Sequence, residues 1–114
     1  METVKLVDII GSASAVSPRT GMIAYDFVTS RISSGTPVRV SFAGIEDLTS
    51  AFCNSFIGKL YMNFDPSVLK SLFQIEGIPE GHIWQKKIQS AILLGTNENA
   101  RNLHKDNLAE VILS

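Results

Sequence analysis

Few side chains of this 114-residue chain stand where they could do chemistry, and the sharpest signal is a pair of hydroxyls, Thr49 and Ser50. They fall where an alternating apolar segment gives way to the best amphipathic pattern in the sequence, so both are expected at a helix N-terminus. A hydroxyl there can cap free backbone N–H groups. A phosphate placed there would meet the same groups and the positive end of the helix dipole, and would add about −1.5 to −2 charges to an exposed surface. Glu46 and Asp47 come just before. Paired carboxylates do acid–base work when burial drives their pKa values apart, but adjacent residues seldom share a cavity, so Asp47 or Thr49 is read as the cap and Glu46 as solvated.

Other candidates carry less. The turn Gly11-Ser12-Ala13-Ser14 lies between an apolar segment and a helical pattern, where backbone N–H groups could receive an anion. It lacks both the Lys-Ser/Thr pair of a phosphate-binding loop and the glycine spacing of a dinucleotide fingerprint. A small ligand held by this turn predicts a pocket near Arg19. His82 and His104 have no partner at metal-ligand spacing. Cys53 is the sole cysteine and is read as a small core residue. Lys86-Lys87 is read as part of a solvated helix face, and Asp65-Pro66 as a helix-start pair. No catalytic constellation and no metal or cofactor site emerges, so a non-enzymatic protein is expected.

The elements that must position these residues follow from periodicity. Val4 to Ile10 reads as a strand ending in the Gly11 turn. Ser17-Pro18 opens a helix with Ile23, Phe27, Val28 and Ile32 at helical spacing, weakened near its start by Gly21 and stopped by Ser33-Ser34-Gly35-Thr36-Pro37. Val38 to Phe42 alternates as a half-buried strand, and Gly44 to Leu48 is a short connection. Phe52, Phe56, Leu60 and Phe64 recur at steps of four beside Cys53, Ile57 and Tyr61, which predicts a helix with one strongly apolar face packed on a sheet. A brief turn through Val68-Leu69 leads to a third strand over 72–78. Pro79-Glu80-Gly81 opens a helix carrying Trp84, Ile88, Ala91 and Ile92 and ending near Gly95. Ala100, His104, Leu108 and Val111 favour a last helix. The alternation predicts an α/β fold, a small mixed sheet covered by helices, with one domain over 1–95 and a C-terminal helix or arm over 96–114 packed on it.

Composition narrows the partners. With 45% hydrophobic and 18% charged residues the chain can bury a core, and a net charge of −1 supplies no positive field to recruit nucleic acid or anionic lipid. The start Met1-Glu2-Thr3-Val4-Lys5 lacks the basic opening and long apolar stretch of a secretory signal, and no apolar run is long enough to cross a bilayer, so a cytoplasmic location is expected.

The run Val38-Arg39-Val40-Ser41-Phe42-Ala43-Gly44-Ile45-Glu46-Asp47-Leu48-Thr49-Ser50-Ala51-Phe52, continuing through Phe56-Ile57-Gly58-Lys59-Leu60, resembles the STAS superfamily, the fold of bacterial anti-sigma factor antagonists. Within it, the chain is most similar to the bacterial STAS-like domains of uncharacterised function. The group has a strand, a Gly-Val or Gly-Ile turn, a hydroxyl cluster and a Phe opening a helix, and Ser17-Pro18-Arg19 looks similar to its first helix start. The similarity spans roughly residues 5 to 95. Ser41 stands where the family usually has Asp, and Ala51-Phe52 replaces the Ser-Gly that often follows the phosphorylated position, so the phosphoacceptor falls on Ser50 or, with a one-residue gap, on Ala51. The resemblance implies a regulatory module that docks on a protein partner, commonly a histidine-kinase-like ATPase, through Arg19, Glu46, Asp47, Thr49, Ser50 and Asn54. A homodimer is compatible with it. A stand-alone inhibitor or accessory subunit from a phage or mobile element fits the same composition.

Overall fold

The computed structural model describes the backbone of residues 1–78 and 83–113 and the side chains of residues 1–78 and 83–101. Pro79, Glu80 and Gly81, expected to open the helix carrying Trp84 and Ile88, lie outside the described residues together with His82, as do the side chains of His104, Leu108 and Val111. The element order is β1 (Glu2–Lys5), α1 (Leu6–Ile10), β2 (Ser14–Ala15), α2 (Pro18–Ser33), β3 (Val38–Ser41), β4 (Asp47–Leu48), α3 (Ser50–Cys53), a π-helical segment (Asn54–Gly58), α4 (Lys59–Asn63), α5 (Pro66–Leu72), β5 (Phe73–Glu76) and α6 (Ile83–Leu113).

The main sheet is parallel throughout, in the order β1-β3-β5, rather than mixed. Each strand is added on the same side of the last, so right-handed crossovers carry the connecting helices to one face. The burial agrees: Val4, Val38, Val40, Phe73 and Ile75 share the helix-covered side, while Thr3, Lys5, Gln74 and Glu76 stand exposed on the other. There Arg39 donates to Gln74 at 3.1 Å and lies 3.9 Å from Glu76.

One long helix, α3 through the π segment to α4, forms the middle of the helical layer, with α2 on one side and α6 on the other. Its Phe52, Cys53, Phe56, Ile57 and Leu60 are fully buried, and the Phe56 ring meets Phe73 of β5 edge-on at 6.0 Å. Burying three such Phe and Leu side chains is worth about 1.5–3 kcal/mol each, so this row is the main tie between helices and sheet.

Two glycines set how closely the helices approach. A Cβ on Gly21 would come within 2.7 Å of Ser55 Cβ and 2.8 Å of the Phe52 carbonyl oxygen. Gly21 is therefore the crossing point of α2 on the middle helix, and the inward face of α2 is Gly21, Ala24, Val28 and Ile32, with Ile23 exposed. On the other flank a Cβ on Gly95 would collide with the Gly58 carbonyl oxygen. Gly95 is thus a packing glycine inside α6 and does not end the helix, which passes through the boundary expected at residue 95.

Four other local expectations are corrected. The first strand is Glu2–Lys5, so only Val4 and Lys5 of the Val4 to Ile10 run belong to it. Leu6–Ile10 turns into a short helix that buries Leu6 and ends on Gly11, whose φ of 70° closes it with an N–H bonded to the Val7 carbonyl. The connection before Thr49 contains β4, which pairs in parallel with β2. The Phe-rich helix is not uniformly α. The turn after Asp65-Pro66 is the seven-residue helix α5, capped by the Asp65 carboxylate, which accepts from the Ser67 amide at 2.9 Å and hydroxyl at 2.7 Å; these bonds hold its pKa below the ordinary value.

Candidate functional site

Parallel pairing of β2 with β4 brings the starts of α2 and α3 side by side. Ser14 aligns with Asp47 and Ala15 with Leu48, and the amides of Glu46 and Thr49 donate to the carbonyls of Ala13 and Ala15 at 2.8 and 3.1 Å. The two helices that follow open on hydroxyl caps. Ser17 Oγ accepts from the Thr20 amide at 3.2 Å, and Thr49 Oγ1 accepts from the Phe52 amide at 3.2 Å.

Thr49 is further engaged, because its hydroxyl donates to the Val16 carbonyl at 2.8 Å. One side chain thus caps the middle helix and ties it to the strand leading into α2. Asp47 is also spoken for: its carboxylate accepts from Ser14 Oγ at 3.1 Å and braces the ladder, leaving the cap to Thr49. Behind them Lys87 of α6 donates to the Leu48 carbonyl at 2.8 Å. This half-buried lysine belongs to the scaffold, not to the solvated face expected of Lys86-Lys87.

Ser50 differs from its neighbour. It is the first residue of α3, it is exposed, and no hydrogen bond holds its hydroxyl among the described residues. Ala51 is exposed beside it, and Asn54 stands one turn on, exposed on the same face. Glu46 is exposed just before β4, and Arg19 is exposed in the first turn of α2. Five of the six residues singled out from the sequence therefore lie open to solvent at one end of the molecule, around the paired helix starts, while the sixth, Thr49, is half-buried and structural.

The same geometry argues against an anion in the Gly11 to Ser17 turn. Ser12 Oγ accepts from the Ser14 amide, Ser14 Oγ is committed to Asp47, and Ser17 Oγ to Thr20. The Asp47 carboxylate would repel an anion at this point. Arg19 lines neither of the two clefts described below.

Ser41 accepts a hydrogen bond from the Ala43 amide at 3.2 Å and is nearly buried. An oxygen at this position closes the turn after β3, and serine supplies it without burying a charge. Cys53 is fully buried; burial pushes its thiol up to about 11, opposed by the nearby Lys87 ammonium, so it is no nucleophile at neutral pH.

Two clefts were not legible in the sequence. One of about 400 Å³ lies over the π segment between α2 and α6, and another of about 300 Å³ lies where Asn99 of α6 meets the end of α4. In the second, Asn99 Nδ2 donates to the Tyr61 and Phe64 carbonyls at 3.2 and 3.1 Å, satisfying the last turn of α4. Among the described residues no three His, Cys, Asp or Glu side chains gather as a metal site would require, and no helix is long and apolar enough to cross a membrane.

No curated protein and no solved structure matches the chain. A family model does, over a stretch lying within the 5–95 span of the expected resemblance and containing β3, β4 and the whole middle helix. Residues 26–80, the segment that carries Ser50 and most of the exposed surface around it, match the family described as a STAS-like domain of unknown function.

Proposed function

We propose that the chain is a regulatory protein-binding module that works by docking and not by catalysis, and that its docking surface is the end built from Arg19, Glu46, Asp47, Ser50 and Asn54. One observation carries the reading. Adjacent hydroxyls at one helix start are divided between two tasks, with Thr49 spent on the fold and Ser50 exposed and without a hydrogen bond among the described residues. A group added to Ser50 breaks no internal contact, and a phosphate there gains the free amides and dipole of the middle helix. Recognition by a partner is thereby coupled to charge at a single exposed atom. The family likeness makes a histidine-kinase-like ATPase the partner of choice.

Purifying the tagged full chain from its native host tests this. Wild-type protein is expected to bring down one protein stoichiometrically and to carry phosphate at Ser50 in part. Ser50→Asp is expected to weaken the captured partner's affinity about tenfold or more, as placing a charge at an interface centre does. Unchanged affinity in Ser50→Asp, and also in Arg19→Glu and Asn54→Arg, refutes the assignment of this surface.

A further inference from the structure

The larger cleft has a chemistry of its own. Its volume of about 400 Å³ falls at the lower end of the range of small-molecule sites, roughly 300–1,000 Å³, and such sites often lie between helices. Its floor is where Gly58 and Gly95 let the middle helix and α6 touch. The π segment forms part of the wall, and π turns are frequent at functional sites because they displace side chains from the regular helical rows.

The walls are apolar on three sides. Met22 of α2, Met62 of α4 and Leu94 of α6 line them, with Leu94 left 57% exposed. Methionine thioethers are flexible and polarizable, which suits an aliphatic occupant of loose shape.

Into this apolar frame projects one cation. Lys59 Nζ stands 3.2 Å from Met22 Sδ and 4.6 Å from the centroid of the Tyr25 ring. A thioether sulfur and a ring face are weak partners for an ammonium with three N–H donors. Glu98, the carboxylate that lines the cleft, is turned to Arg101 at 3.0 Å. Among the described residues no carboxylate pairs with Lys59. A half-buried ammonium left to soft partners is complementary to an anion that arrives with an apolar body.

We propose that this cleft binds a small amphipathic carboxylate, its headgroup on Lys59 and its hydrocarbon chain along Met22, Met62 and Leu94. A single ammonium without a guanidinium or an amide nest matches one negative charge and is too few donors for a phosphate dianion. A neutral chain would fill the apolar wall but leave Lys59 as it is.

The test is a two-dimensional amide NMR titration of the isotope-labelled full chain with decanoate below its micelle-forming concentration. Saturable shifts confined to residue 22, residues 54–62 and residues 94–98 are expected, with decyltrimethylammonium producing none of them. Lys59→Met keeps the apolar stem and removes the charge, so it should weaken decanoate about tenfold or more while leaving decanol unchanged. Met62→Glu leaves Lys59 in the sequence but puts a carboxylate one turn from it, where it competes for the ammonium, and should also weaken decanoate. Equal affinity for decanoate and decanol, indifference to both substitutions, or shifts scattered over the exposed Leu93 and Ile23 surface would each overturn the proposal.

Discussion

Replacing Thr49 by valine and Ser50 by alanine should have opposite signatures, although the two hydroxyls are adjacent. Valine keeps the volume and the extended backbone of Thr49, at φ −113° and ψ 159°, and deletes only the hydroxyl. The amide of Phe52 then loses its cap, which costs about 1 kcal/mol. The Val16 carbonyl loses its donor, costing about another 1 kcal/mol net. A chain of this length has an unfolding entropy that turns 1 kcal/mol into about 4 °C of Tm, so Thr49→Val should melt about 8 °C below wild type. Thr49→Ser retains both bonds and should stay within about 0.5 kcal/mol. Ser50→Ala removes a hydroxyl that bonds to nothing among the described residues, and an exposed substitution of this kind is worth at most about 0.5 kcal/mol. Differential scanning calorimetry with urea denaturation reads both quantities. Equal losses in Thr49→Val and Ser50→Ala, or no loss in Thr49→Val, would refute the division of labour between the hydroxyls.

Two further outcomes follow from the packing. Gly21→Ala would gain about 1 kcal/mol of helix propensity in isolation, yet its methyl meets a backbone oxygen and a Cβ that cannot swing aside, an overpacking worth about 1–3 kcal/mol; urea denaturation should show net destabilisation of about 1 kcal/mol, and a more stable variant would contradict the close crossing of α2. Cys53 should resist a thiol reagent in the folded state at neutral pH. Because its pKa is raised from 9.0 to about 11 on folding, the folded chain holds more protons than the unfolded one between those two values. Stability should therefore fall by up to about 1 kcal/mol per pH unit between pH 9 and 11, a slope that Cys53→Ala should reduce; parallel profiles for the two proteins would contradict the buried thiol.

How far the sequence discloses this molecule depends on whether the deciding contacts are local. The caps Ser17, Thr49 and Asp65, the strand Val38–Ser41 and the apolar row of the middle helix are local matters of pattern and are legible. The first apolar run reads as strand throughout because a short continuous run has no period to separate strand from helix. The β2–β4 ladder is two residues long and exists only through tertiary pairing. The π turn left a trace that needs structure to interpret. Rows at 52/53, 56/57 and 60/61 repeat every four residues, a step that drifts about 40° per turn on an α-helix, and a wider turn absorbs the drift. Gly95 and Gly21 look like helix breakers until the partner helix that requires them is in place. At the candidate site, position was readable but role was not, since nothing in Thr49-Ser50 says which hydroxyl the fold consumes. The Lys59 cleft assembles three helices and had no signature in any one segment.

The central claim is that the Ser50 end of the molecule is the face a partner touches, and site-specific photo-crosslinking in the native host tests it most directly. A benzophenone side chain at position 50 is compared with one at the exposed Thr36, beyond the far end of α2. The account predicts a discrete protein adduct from position 50 and none from position 36. Adducts from position 36 with none from position 50 would contradict it.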